Sequence, residues 1–352
     1  MTRQENTKRM GTGARRVTIS DLSRELGITK GTISRALNGY SDISESTRLR
    51  VERAAERLGY RPLTQAQAIR TGRSQSIGLV IEAGNHDGHH PFLAEFLAGA
   101  SGAAAEEGWT LTVSNADTQD TVLKRMQQLV EDRKADGFIL PRTWSDDPRV
   151  AHLRALDVPF VLFGRVADPE GCAWFDFKGG AAMRDAVHRL FAAGHRRIGY
   201  VGSSPGYHYE KLRLAGFLRG LSDLGLEADP DLIRENAVIR SQGADAARAL
   251  LAHANRPTAL IYAVDAAALG AWEAAHEEGL TIGRDLSIVS YDGTKDGAAA
   301  RPSLASYAVD NRFAGERLAH LLIRRVRGER VETLREEQDV PFRAGGSLGP
   351  AP

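Results

Sequence analysis

The sequence predicts a small all-α head followed by a larger α/β body that consists of two doubly wound lobes. A length of 352 residues exceeds one ordinary domain. Short apolar patterns at helical spacing occupy residues 17–58, and from Ser76 apolar strands alternate with amphipathic helices. Strand–helix alternation is typical of a parallel sheet covered on both faces. The alternation starts again near Lys178 and so predicts a second lobe.

The head begins with the segment VTISDLSRELGITKGTISRALN, residues 17–38. An apolar set at helical spacing predicts its first helix, namely Ile19, Leu22 and Leu26. Gly27 ends that helix, and Thr29 can cap a second helix with its side-chain oxygen. The outer face of the second helix is polar and basic, with Lys30, Gly31, Ser34 and Arg35. Two short helices around a glycine-containing turn predict a DNA-reading helix-turn-helix, and an αα-hairpin with a solvated basic face is the alternative.

A third helix is predicted from about Glu45 to Leu58. Residues 44–47 supply capping side chains, and Gly59 ends the helix. Three such helices form only a small core, so we expect the head, residues 16–61, to have modest stability alone.

Three segments are predicted to have no stable structure of their own. The linker, residues 62–75, has room for only a short helix, and helices shorter than about 12 residues are marginal in water. We therefore expect the linker to become helical only when something holds it. Residues 1–15 and residues 344–352 are rich in glycine, proline or polar side chains and are expected to be disordered.

The charge is distributed unevenly along the chain. Residues 1–75 hold 15 basic and 7 acidic side chains, whereas the remainder holds 31 basic and 38 acidic ones. The net charges are therefore +8 for the head and linker and −7 for the rest. A basic head on an acidic body is typical of a protein that neutralises phosphates with one module.

Composition excludes several other classes of protein. The single cysteine, Cys172, leaves no internal disulfide and no multi-cysteine zinc site. Adjacent His89 and His90 near Asp87 are expected to be solvated rather than to bind a metal. The first residues contain no apolar run typical of a secretory signal, and no stretch is apolar enough for a membrane span. We expect a soluble cytoplasmic protein that is not an enzyme and needs no metal or other cofactor, because no phosphate loop or nucleophile elbow is present.

The body is predicted to span residues 76–343. Its strands are expected at 77–81, 109–114, 137–140, 159–163, 197–201, 259–263 and 287–291, with an edge strand within 331–338. Its helices are expected at 92–107, 121–133, 148–156, 178–193, 210–224, 243–252, 266–278 and 312–327. We assign the first lobe (N-lobe) to about 76–164 plus 309–330, and the second (C-lobe) to about 165–308 plus 331–343.

The order and spacing of nine motifs resemble the LacI (lactose-repressor) family of bacterial transcription regulators. The head contributes VTISDLSRELGITKGTISRALNG, ISESTRLRVERAAERLGYRP and RTGRSQSIGLV. The body contributes DGFILP, VPFVLFGR, GHRRIGYVG, LRLAGF, PTALIYAVDAAALGAW and DLSIVSYDG. The resemblance implies a periplasmic-binding-protein-like body, a homodimer, a near-palindromic double-stranded DNA operator and a small-molecule effector bound between the lobes. It also implies that the effector changes the distance between the linkers and so usually releases DNA.

The resemblance places Lys30, Gly31 and Arg35 against the major groove. Arginine can bridge two acceptors of guanine, whereas the ammonium of Lys30 suits a phosphate as well as a base. Gly31 has no side chain, so the base opposite it should be less constrained. Further polar residues are expected to hold phosphates and fix the register: Thr18, Thr29, Thr32, Ser34 and Asn38.

The linker resembles the family segment that becomes helical on the minor groove of DNA. Ile69 stands where the family mostly has a leucine that wedges between base pairs, and Ala66 and Ala68 let two linker helices pack closely. The alternative is that Ile69 packs under the body. Gln67 and Leu63 replace polar family residues and remove DNA contacts.

Five body residues match effector-binding positions of the family: Phe92, Arg165, Arg213, Asp265 and Asp292. A carboxylate accepts hydroxyl protons and a guanidinium donates several hydrogen bonds, so Arg213 and Asp292 suit a polyol ring. The alternatives are structural, since Asp292 can cap a turn, Arg213 can pair with a neighbouring acid and Phe92 can belong to the core. Gly164 departs from the family, which often has an acid there, so that one wall of the cleft lacks a hydroxyl acceptor.

The sequence therefore predicts a dimeric repressor controlled by a small-molecule effector, with a sugar favoured. A purine- or nucleoside-responsive or corepressor-dependent regulator of the same family is the alternative. Outside the family, the alternative is a sugar-binding protein without a regulatory role. The C-terminal region has no leucine heptad after Arg327, so a coiled-coil tetramer is not expected.

Overall fold

The computed structural model describes residues 17–60, 73–82 and 90–352. The chain divides into two compact units, a head that ends at Ser74 and a body that begins at Gln75. Residues 1–16, most of the linker and the His89–Asp87 pair lie outside the described residues. No helix in the described ranges is both long enough and apolar enough to cross a membrane.

The head consists of three helices, α1 (Ile19–Leu26), α2 (Lys30–Leu37) and α3 (Glu45–Leu58). The predicted helix-turn-helix is confirmed, and its core is small: Leu22, Ile33, Ala36, Val51, Ala54 and Ala55. Gly27 and Gly59 end α1 and α3 in the left-handed conformation, where a side chain would be strained.

The start of α1 explains why the helix begins at Ile19. The backbone N–H and the hydroxyl of Thr18 both donate to Asp21 Oδ2, at 2.9 and 2.8 Å. The Asp21 carboxylate thus satisfies the amide of Thr18 at the start of the helix, where a negative charge is also favourable.

The N-lobe is a six-stranded parallel sheet in the order β11-β5-β4-β3-β1-β2. Its strands are β1 (Ser76–Glu82), β2 (Thr110–Ala116), β3 (Gly137–Leu140), β4 (Phe160–Phe163), β5 (Ala173–Phe177) and β11 (Arg335–Gln338). Its helices are α4 (His90–Glu106), α5 (Gln119–Glu131), α6 (Pro148–Ala155) and α13 (Asn311–Val326). Helices α4 and α13 cover one face and bury Phe96, Leu318 and Leu322 against the sheet.

The C-lobe is a second six-stranded sheet in the order β12-β10-β9-β8-β6-β7, in which only β12 is antiparallel to its neighbour. Its strands are β6 (Ile198–Val201), β7 (Ile233–Arg234), β8 (Ala259–Tyr262), β9 (Ser287–Asp292), β10 (Ala305–Ala308) and β12 (Phe342–Arg343). Its helices are α7 (Gly179–Ala192), α8 (His208–Asp223), α9 (Arg240–Leu251), α10 (Asp265–Ala268), α11 (Ala271–Glu277) and α12 (Lys295–Ala299). Two sheets with helices on both faces confirm the predicted fold of two doubly wound lobes.

The predicted boundary between the lobes needs correction. Strand β5 pairs with β4, and β11 pairs with β5, so both strands belong to the N-lobe sheet rather than to the C-lobe. The chain therefore passes between the lobes after β5, between β10 and α13, and between β11 and β12. The sequence did not reveal these pairings because strand order in a sheet depends on contacts between distant segments.

The prediction that residues 344–352 are disordered is also wrong. Ser347 is completely buried, and its hydroxyl donates to the carbonyl of Ile288 at 2.7 Å while accepting from the amide of Ala305 at 2.8 Å. Farther on, the amide of Ala351 donates to the carbonyl of Ala193. The glycines of this segment lie so close to neighbouring backbone that they serve packing rather than flexibility.

Candidate functional site

The head presents the N-terminal half of α2 to solvent. The hydroxyl of Thr29 accepts from the amide of Thr32 at 3.1 Å and so caps the helix as predicted. Lys30 and Gly31 follow and are exposed, which leaves the first turn of α2 open to a ligand. This geometry suits a recognition helix, whose N-terminal residues approach base edges.

Arg35 lies on the exposed side of α2 but is not free. Its guanidinium forms an ion pair with Asp42 and stands 5.3 Å from the ring centroid of Tyr40. Both members of the ion pair are about half exposed, at 51% and 50% of their side-chain surface. A surface ion pair contributes about 0–1 kcal/mol, so a DNA base can compete for this arginine.

Other predicted DNA contacts also have internal partners. Thr18 donates both its amide and its hydroxyl to Asp21. The amide group of Asn38 donates to the carbonyl of Ser34 at the end of α2. Part of the hydrogen-bonding capacity of these side chains is therefore already used at the ends of helices. Ala66 and Ile69, the predicted linker contacts, lie outside the described residues, and their role stays a prediction.

The body contains a cleft of about 1110 Å³ between its two lobes. Its N-lobe wall comes from residues that end or follow β3, β4 and β5, including Arg142, Gly164 and Asp176. Its C-lobe wall includes Asp292 at the end of β9 and Arg213 on α8. Parallel α/β sheets bind ligands at these carboxyl ends of strands.

Arg213 is the central donor of the cleft. Its Nη1 donates to the carbonyl of Ala263 at 2.7 Å, and its Cζ stands 3.7 Å from the ring centroid of Tyr291. Its Nε is shielded from water and has no hydrogen-bond partner within the described part of the chain. A buried donor without a partner is costly, so a ligand oxygen that reached this Nε would relieve that cost.

Asp292 supplies an acceptor on the same C-lobe wall as Arg213. Its Oδ2 accepts from the amide of Asp265 at 3.3 Å. Its backbone has φ of 129°, a conformation that residues other than glycine rarely adopt. Burial, followed by the nearby Asp265 carboxylate, raises the pKa of Asp292 to about 7, against the opposing effect of Arg213. This carboxyl group therefore changes its charge near neutral pH.

Phe92 lies in the cleft as predicted and packs partly on the N-lobe core. The guanidinium of Arg142 stands 5.5 Å from its ring centroid. Arg142 has φ of 50° directly after β3, and burial lowers its pKa. Arg142 carries no signal in the sequence that marks it as a cleft residue, since its position follows from this turn.

Two predicted effector residues do not line the cleft. Asp265 is completely buried, and its carboxylate accepts from the amide of Thr294 at 2.7 Å and from the hydroxyl of Ser306 at 2.7 Å. Arg165 donates from Nε to Asp176 at 2.8 Å and forms a second ion pair with Glu337. Both residues therefore support the cleft wall from behind.

Asp176 is a cleft residue that was not predicted from the sequence. Its pKa is raised by burial to about 6, while the adjacent Arg165 opposes this shift. Tyr209, also missed, lies on the C-lobe wall and receives a hydrogen bond from Ser203 at 3.1 Å. Within the described ranges, no group of three or more metal-binding side chains lies close enough to hold an ion.

Comparison with known proteins links both units to one family. Residues 18–62 match the family described as bacterial regulatory proteins, lacI family, and residues 187–347 match a periplasmic binding protein-like domain. The chain is 32% identical over 320 residues to the HTH-type transcriptional regulator RafR of Escherichia coli, which covers 90% of this chain and 94% of that protein. The chain belongs to the LacI family.

Other members of the LacI family show the same extent of similarity. The HTH-type transcriptional regulator AglR of Rhizobium meliloti is 32% identical over 346 residues, covering 96% of this chain and 95% of that protein. Among solved structures, the Lac repressor dimer bound to operator and the anti-inducer ONPF has a TM-score of 0.79 at 26% identity, covering 95% of this chain and 100% of that chain. The complex of the regulator CelR with cellobiose has a TM-score of 0.73 at 27% identity, covering 94% of this chain and 100% of that chain. This LacI-family chain is thus a DNA-binding transcriptional regulator with a periplasmic-binding-protein-like effector domain, in a family that is not enzymatic.

Proposed function

We propose that this LacI-family regulator is a homodimeric repressor that binds a near-palindromic operator and is controlled by a sugar in the cleft. The observation that carries the effector assignment is the presence of Arg213 and Asp292 together on the C-lobe wall of the cleft. Arg213 has a buried Nε without a hydrogen-bond partner among the described residues, and Arg213 and Asp292 both line the cleft. Together they offer a donor and an acceptor to vicinal hydroxyls of a sugar.

The apolar part of the cleft supports the same ligand class. Phe92 and Phe163 contribute aromatic surface to the N-lobe wall, and Leu212 contributes aliphatic surface opposite. Ligand sites combine such apolar linings with few polar groups that set orientation. The similarity to CelR, solved with cellobiose, agrees with a sugar as the effector.

The head supports the DNA half of the proposal. Its exposed α2 carries Lys30 and Arg35, and its charge excess suits phosphate contacts. We assign base reading to Arg35. Lys30 is assigned a contact to either a base or a phosphate. We assign to Thr29, Thr32 and the other predicted phosphate contacts the role of holding DNA phosphates and so fixing the register of the head on the DNA. Two heads in a homodimer require an inverted repeat, and Ile69 of the linker is proposed to kink its centre. Such a regulator would act in the cytoplasm, where its operator lies.

Footprinting on promoter DNA near the regulator's own gene tests the DNA half. A protected inverted repeat is expected, and protection without symmetry would contradict a homodimer on a palindrome.

A thermal-shift screen of mono- and disaccharides, sugar phosphates and purine nucleosides tests the effector half. A ligand that binds the folded body raises its melting temperature. We expect a sugar to do so and to release the operator. A shift from purine nucleosides alone, or tighter operator binding with the ligand, would replace the sugar-inducer assignment by the nucleoside or corepressor alternative.

A further inference from the structure

The two lobes of the body are joined beside the cleft by a direct backbone contact. The amide of Ser145, which follows β3 in the N-lobe, donates to the carbonyl of Gly206 at 3.2 Å. The amide of His208, the first residue of α8 in the C-lobe, donates to the carbonyl of Thr143 at 3.0 Å. Trp144 and Tyr207 are thereby paired as an antiparallel bridge. We call residues 143–145 and 206–208 the cross-lobe bridge.

Side chains reinforce the cross-lobe bridge. The indole of Trp144 packs on the ring of Tyr207 with 4.6 Å between centroids. Gly206 lies against the same indole so closely that a Cβ at this position would overlap its six-membered ring. Trp144 therefore fits a space that only glycine leaves open, and the bridge depends on both residues.

On the N-lobe side the bridge has a rigid base. The amide of Trp144 donates to the carboxylate of Asp147 at 3.1 Å, and the buried Asp147 forms an ion pair with Arg149 at 2.6 Å. The hydroxyl of Thr143 donates to the carbonyl of Arg165 at 2.5 Å. These buried contacts hold Trp144 in place relative to the N-lobe sheet.

On the C-lobe side the bridge leads directly to the cleft. The ring of Tyr207 stacks on that of Tyr209, with 5.5 Å between centroids and 14° between planes. The guanidinium of Arg213 lies 4.7 Å from the centroid of Tyr209, one helical turn farther along α8. A continuous stack thus runs from an N-lobe tryptophan to the proposed effector-binding arginine of the C-lobe.

We propose that Trp144 is a positioning residue of the effector site, which acts through Tyr207 and Tyr209 on Arg213. This inference rests on the proposed function, because it takes Arg213 as an effector contact. A relative movement of the lobes large enough to break the bridge would release the start of α8 and displace Arg213. The bridge therefore makes the geometry of the effector site depend on the arrangement of the lobes.

Hydrogen exchange of the full-length protein, resolved by mass spectrometry, tests the inference without a ligand. In Trp144→Ala we expect amides of residues 208–213 to exchange about tenfold faster or more, although the substitution lies in the other lobe. Trp144→Phe keeps an aromatic ring and should restore most of the protection. A purely local structural role would change exchange near residue 144 and leave α8 unchanged, and that result would overturn the proposal.

Two further variants keep the test decisive. Gly206→Ala disturbs the bridge from the C-lobe side and should also increase hydrogen exchange at the start of α8. It therefore provides a second test if Trp144→Ala folds poorly. Trp272→Phe, on α11, serves as the matched control because its indole donates to the carbonyl of Arg301 at 3.1 Å and is not part of the bridge. Unchanged α8 protection in Gly206→Ala and Trp144→Ala together would reject the proposal.

Operator footprinting of the same proteins separates this inference from the proposed function. If the wild-type protein protects no inverted repeat, the proposed function fails, whereas the exchange result still decides whether the bridge orders α8. If the repeat is protected and α8 exchange is unaffected by Trp144→Ala, the inference alone fails.

Discussion

At the scale of single residues, Arg35, the proposed base contact, is already held in place in the absence of DNA. Its ion pair with Asp42 and its position over Tyr40 restrict the guanidinium on the exposed side of α2. Less side-chain entropy is then lost when a base is bound. Because a surface ion pair contributes little free energy, Arg35 can leave Asp42 and bind guanine at a small cost in free energy.

Arg35→Ala should weaken operator binding by about 1–3 kcal/mol, or about 5- to 150-fold, because a two-point contact to guanine is lost. Fluorescence anisotropy at one fixed salt concentration measures the change. Arg57→Ala removes the same charge from α3, where Arg57 pairs with Glu25, and is the matched control. Equal losses in both variants would show that Arg35 acts through charge alone.

Asp292 gives the body a pH dependence of stability. Its pKa of about 7 in the folded protein lies above the value of about 3.9 in an unfolded chain, so the folded state binds more protons between these values. The resulting stabilisation is complete below pH 4 and is lost as the pH rises through about 7.

Melting curves of wild-type protein and Asp292→Asn from pH 5 to 8 test this assignment. The melting temperature of the wild type should fall relative to that of the variant as the pH rises, because asparagine does not titrate. Subtracting the two curves removes other groups, including Asp176, whose pKa is about 6. Asp296→Asn, at an exposed neighbouring position, should behave like wild type. A constant difference across this range would contradict a raised pKa at Asp292.

At the scale of secondary structure, the elements with strong local signals were predicted well. The capping side chains of Thr29 and Ser44 and the terminal Gly59 specify the start of α2 and both ends of α3 within a few residues, since both signals act inside one turn. The helix predicted at 266–278 is instead divided into α10 and α11 around Gly270, which lies against backbone of α9. Close packing of this glycine decides the break, and no local pattern records it.

The C-terminal segment was mispredicted for a related reason. Its composition of glycine and proline is typical of a disordered tail, but Ser347 supplies a buried hydroxyl that satisfies two backbone groups of β9 and β10. A single buried polar residue thus outweighs the composition of the segment.

Ser347→Ala should destabilise the body by about 1–3 kcal/mol, because it leaves a buried carbonyl and a buried amide without their partner. Urea unfolding followed by circular dichroism measures the change in free energy. Ser101→Ala, at an exposed position of α4, is the control and should have little effect. A loss below about 0.5 kcal/mol in Ser347→Ala would mean that the segment does not stabilise the body.

At the scale of the whole molecule, the sequence identified the parts of the cleft that lie in recognisable motifs. Phe92, Arg213 and Asp292 were predicted and do line the cleft. Arg142 and Tyr209 were not selected, because a turn after β3 and the cross-lobe bridge bring them into the cleft. Contacts between lobes have no signature in one local stretch of sequence.

The two units of the molecule carry different parts of the proposed function. The head offers an exposed basic helix, and the body offers a cleft whose walls belong to different lobes. The chain passes between the lobes three times, so a ligand that contacts both walls can alter their arrangement. We propose that this rearrangement reaches the operator through the linker, whose residues 66 and 69 are the predicted contacts to the minor groove.

Operator release by the sugar that gives the largest shift in the thermal screen is the most direct test of this account. The wild-type protein should leave its inverted repeat as the sugar is added. Arg213→Ala should bind the same repeat with unchanged affinity but stay bound. Arg219→Ala, an exposed arginine on the same helix that pairs with Asp223, should respond like wild type. Unimpaired release in Arg213→Ala would contradict the proposed effector site, and release by no sugar in the screen would contradict control by a sugar.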